Sequence, residues 1–331
     1  MPTSSYFGRN SFVGAAVETT YGTAVTVPTV RRPIISCSML RQVEKVERPN
    51  LRVAGTAGLR KGHYIASDKA TGSLSIEATY DNIGFFLRHA FGDNTTTSSG
   101  TPNTHLYELG EPGDAGMTLM LQRGTGTNYE AFEGVVINGL TMSCAAGEVM
   151  TMDMELIAET SGTRTGSGPS LTFSEPTNEN LVLHNHVTAA GLAWNSQNIN
   201  LIDFEYKLEN ALSERMRLGS LLTKQPVMSD YRNSTMTVTF ETDDATYATF
   251  LSDVQSDAVV IFNNGASSGD ERELKFSLNA AYIESFTDEV GETGLITASV
   301  TFKGEADGTT ALALGVQLSV KNEAATAVHN G

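Results

Sequence analysis

Apolar and polar side chains alternate with period two in four stretches of the chain. Leu74, Ile76 and Ala78 oppose Ser73, Ser75, Glu77 and Thr79; Met150, Met152 and Met154 oppose Thr151, Asp153 and Glu155. Met236, Val238 and Phe240 oppose Thr235, Thr237, Thr239 and Glu241; Ile296, Ala298, Val300 and Phe302 oppose Thr297, Ser299, Thr301 and Lys303. Successive side chains of a strand leave on opposite faces, so this spacing predicts half-buried strands over 73–80, 149–156, 235–241 and 296–303. Gly110-Glu-Pro-Gly113 and Asn263-Asn-Gly265 have the composition of turns. Two stretches follow the helical period instead. Over 81–91, Asp81 can cap, Ile83, Phe86, Leu87, Ala90 and Phe91 make one stripe, and Gly92 supplies the stop. Over 244–254, Asp244 can cap, and Tyr247, Phe250, Leu251 and Val254 make a similar stripe.

Each predicted helix directly follows an alternating strand, which points to an internal repeat. Strand 73–80 with helix 81–91 matches strand 235–241 with helix 244–254. Upstream, Glu47-Arg48-Pro-Asn-Leu51 matches Glu214-Arg215-Met-Arg-Leu218. Downstream, Met117-Thr-Leu-Met-Leu121 matches Ala258-Val-Val-Ile-Phe262, and Gly147-Glu148 matches Gly291-Glu292. Four correspondences in one order predict a duplicated β-rich domain. The Gly/Ser/Thr run at 161–170 has linker composition. The expected organisation is an arm at 1–32, a domain at 33–160, a linker at 161–177, a second domain at 178–307 and a closing arm at 308–331, the two end stretches reading as arms or edge strands.

A chain of 331 residues has room for two such cores. The 22 Lys+Arg against 38 Asp+Glu leave a formal charge of −16, which opposes a protein that grips nucleic acid through a cationic footprint. Two cysteines cannot build a disulfide scaffold; Cys37 and Cys144 read as small buried hydrophobes. No apolar run is long enough to cross a membrane, and MPTSSYFGRN lacks the apolar region of a secretory signal. Catalytic motifs are missing, Gly124-Thr-Gly126 reads as a turn, and Asp243-Asp244 reads as a helix cap. His184-Asn-His186 puts two imidazoles on one strand face, without a third ligand at a suggestive spacing. The methionine row 150/152/154 and Phe86/Phe91 read as core, and Asn94 and Asn233 match glycosylation sequons without an export signal. No catalytic residue, cofactor or metal is expected.

The stretch Val13-Gly-Ala-Ala-Val-Glu-Thr-Thr-Tyr-Gly-Thr-Ala-Val25, with Pro28 after it, resembles the opening of bacteriophage tail tube (major tail) proteins. So do GSLSIEA at 72–78 before a short helix, HLYEL at 105–109, and FEGVVINGLTMSCAAGEVMTMDMELIAE at 132–159. The resemblance covers residues 10–160 well and reaches the second half through the repeat. It implies a mainly β chain of two tandem tube-type sandwich or barrel domains, each with one flanking helix. It also implies a structural virion protein, assembled in the bacterial cytoplasm, whose rings stack into a tail tube for genome ejection. Family tube rings present six domains, so a chain with two would close as a homotrimer. Four inner strands per domain, a family expectation, give 24 strands. At about 4.8 Å spacing and about 45° tilt their barrel has a radius of roughly 26 Å, with a bore of roughly 40 Å after side chains, wide enough for duplex DNA.

In that setting Glu77, Asp153, Glu155 and Glu241 are the expected lumen-facing residues, on Ser/Thr-rich faces that repel phosphate. Outer-surface solubility is the alternative reading of the same charges. Expected partners are further copies of the chain, the tape-measure, terminator and distal tail proteins, and passing double-stranded DNA. The loops near 41–71 and 92–104 and both arms are expected at ring-to-ring contacts. Two other readings compete: a connector or minor tail protein, and a β-sandwich adhesin or glycan-binding module. The second would use exposed aromatic rings, and Trp194 is the single tryptophan.

Overall fold

The computed structural model describes residues 11–47, 62–81, 83–97, 102–110, 116–123, 129–164, 180–195, 197–242, 250, 254–265, 271–289, 296–305 and 316–322. The first half holds β1 (Phe12–Val17), β2 (Val30–Pro33), β3 (Ser36–Cys37), β4 (Leu40–Glu47), β5 (His63–Glu77), helix α1 (Ile83–Phe91), β6 (Gly92–Thr97), β7 (Asn103–Leu109), β8 (Met117–Gln122), β9 (Tyr129–Ala145), β10 (Thr151–Ala158) and β11 (Thr160–Arg164). The second holds β12 (Val187–Trp194), β13 (Gln197–Ile199), β14 (Leu201–Glu209), β15 (Leu212–Arg215), β16 (Lys224–Met228), β17 (Asn233–Glu241), β18 (Ser256–Asn263), β19 (Glu273–Glu289), β20 (Thr297–Lys303) and β21 (Val316–Asn322). The chain is mainly β, as the alternation predicts.

Among the described residues, every ladder between named strands is antiparallel. One large open sheet runs β4–β5–β10–β9–β14–β17–β20–β19, with β3 beside β4 on β5. Two smaller sheets flank it: β2–β1–β8–β9–β11, and β13–β12–β18–β19–β21–β7–β6. The long strands β9 and β19 each run from a flanking sheet into the large one, so each ties two layers together. Between the layers lies a core that includes Leu74, Ile76, Met152, Met154, Val238, Phe240, Val300 and Phe302, all at most 2% exposed. These are the apolar sides of the four alternating stretches.

The halves repeat in register as well as in strand order. The pair Leu40–Thr71 has its counterpart in Lys207–Thr235, Glu155–Gly139 in Thr301–Ser285, and Leu121–Glu130 in Val260–Phe276. The ladder slips at Asn138 in β9 and at Glu284 in β19, the same place in each half. A second slip lies where the two strands change sheet; Gly134 there has φ 64° and its counterpart Ala280 has φ 50°. Such bulges bend a strand and let it serve two sheets. The sequence matches strand 73–80 with strand 235–241 as spans; the ladders set the register, with Ser73 the counterpart of Thr237. A two-residue shift keeps every side chain on its proper face, so period-two patterning alone does not fix that register.

Helix α1 ends at Gly92, whose φ of 96° suits glycine. The second predicted helix lies outside the described residues apart from Phe250 and Val254; Phe250 stacks on Trp194 at 5.1 Å. Of the arm and edge-strand alternatives for the two ends, residues 12–17, 30–33 and 316–322 are hydrogen-bonded strands. The linker stretch opens as β11, paired with β9, and 165–179 lie outside the described residues. Much of 41–71 is β4 and β5, and most of 92–104 is β6 and β7; 48–61 and 98–101 are not described. Strand pairing takes up these Thr- and Gly-containing stretches because it satisfies backbone groups that a loop would leave to water.

The segment Glu18-Thr-Thr-Tyr21-Gly22 forms a clasp. Glu18, 1% exposed, accepts hydrogen bonds from Thr118 Oγ1 at 2.7 Å, Gly134 N at 2.9 Å and Gly22 N at 2.8 Å. One carboxylate thus ties the β1–β2 turn to β8 and to the bend of β9. Burial raises the pKa of Glu18 above its ordinary value in spite of the donors. A Cβ on Gly134 would lie 2.8 Å from Tyr21 Cζ, so this glycine is required by both space and φ. Glu18→Gln turns an amide N–H toward these donors and is expected to lower unfolding stability by about 2 kcal/mol. Chemical denaturation of the unassembled chain measures it.

Candidate functional site

The large sheet carries its chemistry on the face opposite the core. Along β14, Phe204, Tyr206 and Leu208 are buried while Asp203, Glu205, Lys207 and Glu209 point the other way. The same alternation holds in β10 and β17. Cross-strand register collects these side chains into rows. One row reads Glu77, Thr151, Ser143, Glu205, Thr237, Thr301, Ser285. The next reads Ser75, Asp153, Thr141, Lys207, Thr235, Lys303, and a third Ser73, Glu155, Gly139, Glu209, Asn233.

All four predicted residues therefore share one face: Asp153, Glu155 and Glu241 exposed, Glu77 half-buried. Asp203, Glu205 and Glu209 join them. The alternation of β14 was available in the sequence to find them, but that β14 extends the same sheet was not. Lys69, Lys207 and Lys303 are the cations on this face among the described residues. Each is drawn to a carboxylate: Lys207 to Glu209 at 2.6 Å, Lys69 to Glu214 at 2.7 Å, Lys303 to Glu284 at 3.4 Å. The Lys207 hydrogen bond lowers the pKa of Glu209 and raises that of Lys207. Hydroxyls fill the rest: Ser143 and Thr151 are 3.2 Å apart, Thr237 and Thr301 3.1 Å. The outcome is a hydrated, net anionic sheet face.

The two halves meet at β9 and β14. Asp203 pairs with Ala145 and the ladder continues through Lys207–Thr141 to Glu209–Gly139. Beyond it, Asn210 is 1% exposed and donates from Nδ2 to Ala90 O and Ile137 O, both at 2.9 Å; its backbone N–H donates to Asn138 O at 2.8 Å. Leu212 N returns a bond to Asn138 Oδ1 at 2.8 Å. Arg232 and Gly110 satisfy Phe91 O, so residues from both halves share the carbonyls that end α1. The outer strands of the large sheet are β4 and β19; among the described residues β4 has β5 as its strand neighbour, and the final part of β19 has β20.

Other sequence candidates resolve differently. His184–His186 form a single 3-10 turn, not a strand; His186 Nδ1 lies 3.0 Å from Tyr80 Oη and its ring stacks on Tyr80. The turn places these imidazoles away from a common strand face. Cys144 is buried in β9, where burial pushes its thiol up to about 11, and Cys37 is half-buried in β3; both are free thiols. Trp194 is 1% exposed and so offers no platform for a sugar ring. Gly124–Gly126 and Asp243–Asp244 lie outside the described residues.

A family model described as phage tail tube protein matches residues 8–304, nearly the whole chain and both halves of the large sheet. The chain belongs to the phage tail tube protein family. Comparison with individually curated proteins returns no match. Membership makes this tail tube family protein a structural component of the phage tail, and places it in the virion. The family is structural, not enzymatic, and its members assemble with themselves and with other tail proteins. No helix among the described residues is long and apolar enough to cross a membrane.

The β9–β14 junction yields a direct test. Asn210→Ala strips two buried carbonyls of their donor and is expected to cost about 2 kcal/mol of stability. A calorimetric Tm within a degree of the parent would contradict the role given to Asn210.

Proposed function

We propose that this chain is the major tail tube subunit, with two tube units over 33–160 and 178–307, three copies closing a pseudo-sixfold ring. One observation carries the reading. The large sheet contains β4–β5–β10–β9 followed by β14–β17–β20–β19, the same four-strand unit twice. The units join through the last strand of one and the first strand of the next. That leaves β19 and β4 as outer strands of the kinds that already pair inside the chain as β9 and β14. Exposed edges seek partners. A neighbouring copy supplies the one that satisfies both edges by rotation, and a repeated rotation closes.

Three copies contribute 24 strands to such a barrel, for which the radius is roughly 26 Å. The anionic, hydroxyl-rich face then lines the bore, opposite the sandwich core. DNA phosphates meet carboxylates and hydrated hydroxyls, with no cationic track to hold them, so the genome slides through during ejection. The tape-measure, terminator and distal tail proteins are the expected neighbours along the tube. Assembly takes place in the bacterial host cytoplasm. No bond chemistry, cofactor or metal enters this mechanism.

Transferring the Thr141–Lys207 pair of the internal junction to the outer strands sets Thr287 of one copy opposite Leu40 of the next. In a Cys37→Ser, Cys144→Ala background, Leu40→Cys with Thr287→Cys should oxidise to a covalent three-chain ring of about 106 kDa, three times the 35.4 kDa chain. Leu40→Cys with Asp288→Cys, one residue out of register, should cross-link far less. A six-chain ring by cryo-EM or native mass spectrometry would refute the trimer. The lumen assignment has its own test in the same background. Asp153→Cys should react with a 5 kDa maleimide-polyethylene glycol of about the bore's size in free subunits and be protected in tubes. Equal labelling of both would put this face outside.

A further inference from the structure

The hairpin of β15 and β16 reaches across the top of the first half. Its Leu221 carbonyl accepts a hydrogen bond from Asp68 N at 2.9 Å, Leu222 bridges to Asp68, and Glu214 pairs with Lys69 at 2.7 Å. So the segment joining β14 to β17 crosses over β9 and β10 and lands on the start of β5. The repeat assigns counterparts to each part. The segment joining β4 to β5 corresponds to this hairpin, and the start of β17 around Arg232 corresponds to Asp68. Glu47-Arg48…Leu51 and Glu214-Arg215…Leu218 already match in sequence, at the spacing the ladders give.

Within one chain β4 and β5 stand four strands and more from β17 in the large sheet, on its outer side. The counterpart landing place carries a hollow of about 610 Å³, lined by residues 228–232 with Leu109 and Gly110. Tyr231 stands 93% exposed on its rim and Met228 is 46% exposed. We infer that this hollow is the docking site for the β4–β5 connection, residues 48–61, of the adjacent copy in the ring. The inference rests on the ring reading above and adds the contact that would hold neighbouring copies together beyond backbone pairing.

Charge agrees with that occupant. Residues 48–61 contain Arg48, Arg52, Arg60 and Lys61 and no carboxylate, within a chain of net charge −16. Leu51, Val53 and Leu59 supply apolar groups for the hollow. Asp230 lies in its wall, while Arg232 is turned inward to donate to Phe91 O at 3.1 Å. A cationic, partly apolar strap therefore meets a hollow that offers the carboxylate of Asp230, the apolar Leu109 and Met228 and the ring of Tyr231, with Arg232 turned away toward Phe91 O.

The test places a photo-crosslinking benzoyl-phenylalanine at Tyr231 and assembles rings from equal parts of ¹⁴N- and ¹⁵N-labelled chains. Irradiation and tryptic mass spectrometry should recover a link to Val46–Arg52 or Val53–Arg60, with mixed-isotope pairs showing that it joins two chains. Arg52→Glu with Arg60→Glu should cut the yield by about fivefold. Rings whose Tyr231 links instead within its own chain, or to another segment of a neighbour, overturn the docking inference and leave the tube reading standing. A protein that forms no rings overturns both.

Discussion

Antiparallel pairing of β9 with β14 is the interaction on which the rest depends. A strand offers hydrogen-bonding groups on both sides, and a sheet stops only where something covers or blocks its edge. In this chain the edge of the first four-strand unit is covered by the second, in continuous register from Ala145–Asp203 to Gly139–Glu209. Asn210 and Asn138 fix the end of that ladder and connect it to the end of α1. What is left over is one edge of each kind. The proposed ring extends the pairing that joins the halves to the contact between copies.

Two bends make this possible. β9 and β19 must each serve a flanking sheet and the large sheet, and a straight strand cannot. The slips beside Gly134 and Ala280 turn the strand between layers, and those at Asn138 and Glu284 reset its pairing with the strand after it. The first half uses glycine at the left-handed position and braces it with the Glu18–Tyr21 clasp; the second half accepts alanine there. The Glu-Thr-Thr-Tyr-Gly segment that carries the family resemblance therefore does structural work. It holds the chain's entry against the bend that links the two layers.

Charge and topology divide the surface between them. The core face of the large sheet packs on two flanking sheets, which leaves most polar residues of β10, β14, β17 and β20 and the end of β5 on the single remaining face; Ser234, bonded to Tyr206 Oη, is an exception on the core side. Acidic residues distant in sequence, such as Glu77, Asp153, Glu205 and Glu241, become neighbours in one field. Among the described residues Lys207, Lys69 and Lys303 on that face are drawn into pairs with Glu209, Glu214 and Glu284. A net charge of −16 read from composition alone opposes gripping DNA; the fold concentrates much of that charge on one sheet face, which is what the proposed lumen rests on.

The sequence by itself determined the strands, the core residues and the existence of a repeat, because burial on one side of a sheet imposes period two locally. It also determined which side of each strand is anionic. It matched strand 73–80 with strand 235–241 as spans and left their exact register open, since a shift of one full period leaves every face unchanged. It left β1, β2 and β21 in terminal stretches that read as arms or edge strands, and β11 at the start of the linker composition, because these segments fall outside the repeated pattern. Only the tertiary structure decided that the two units share one sheet, that Asp203, Glu205 and Glu209 join the predicted acids, and which strands remain at the edges. Those outcomes are set by hydrogen bonds between residues far apart in the chain, and local patterning holds no record of which strand will meet which.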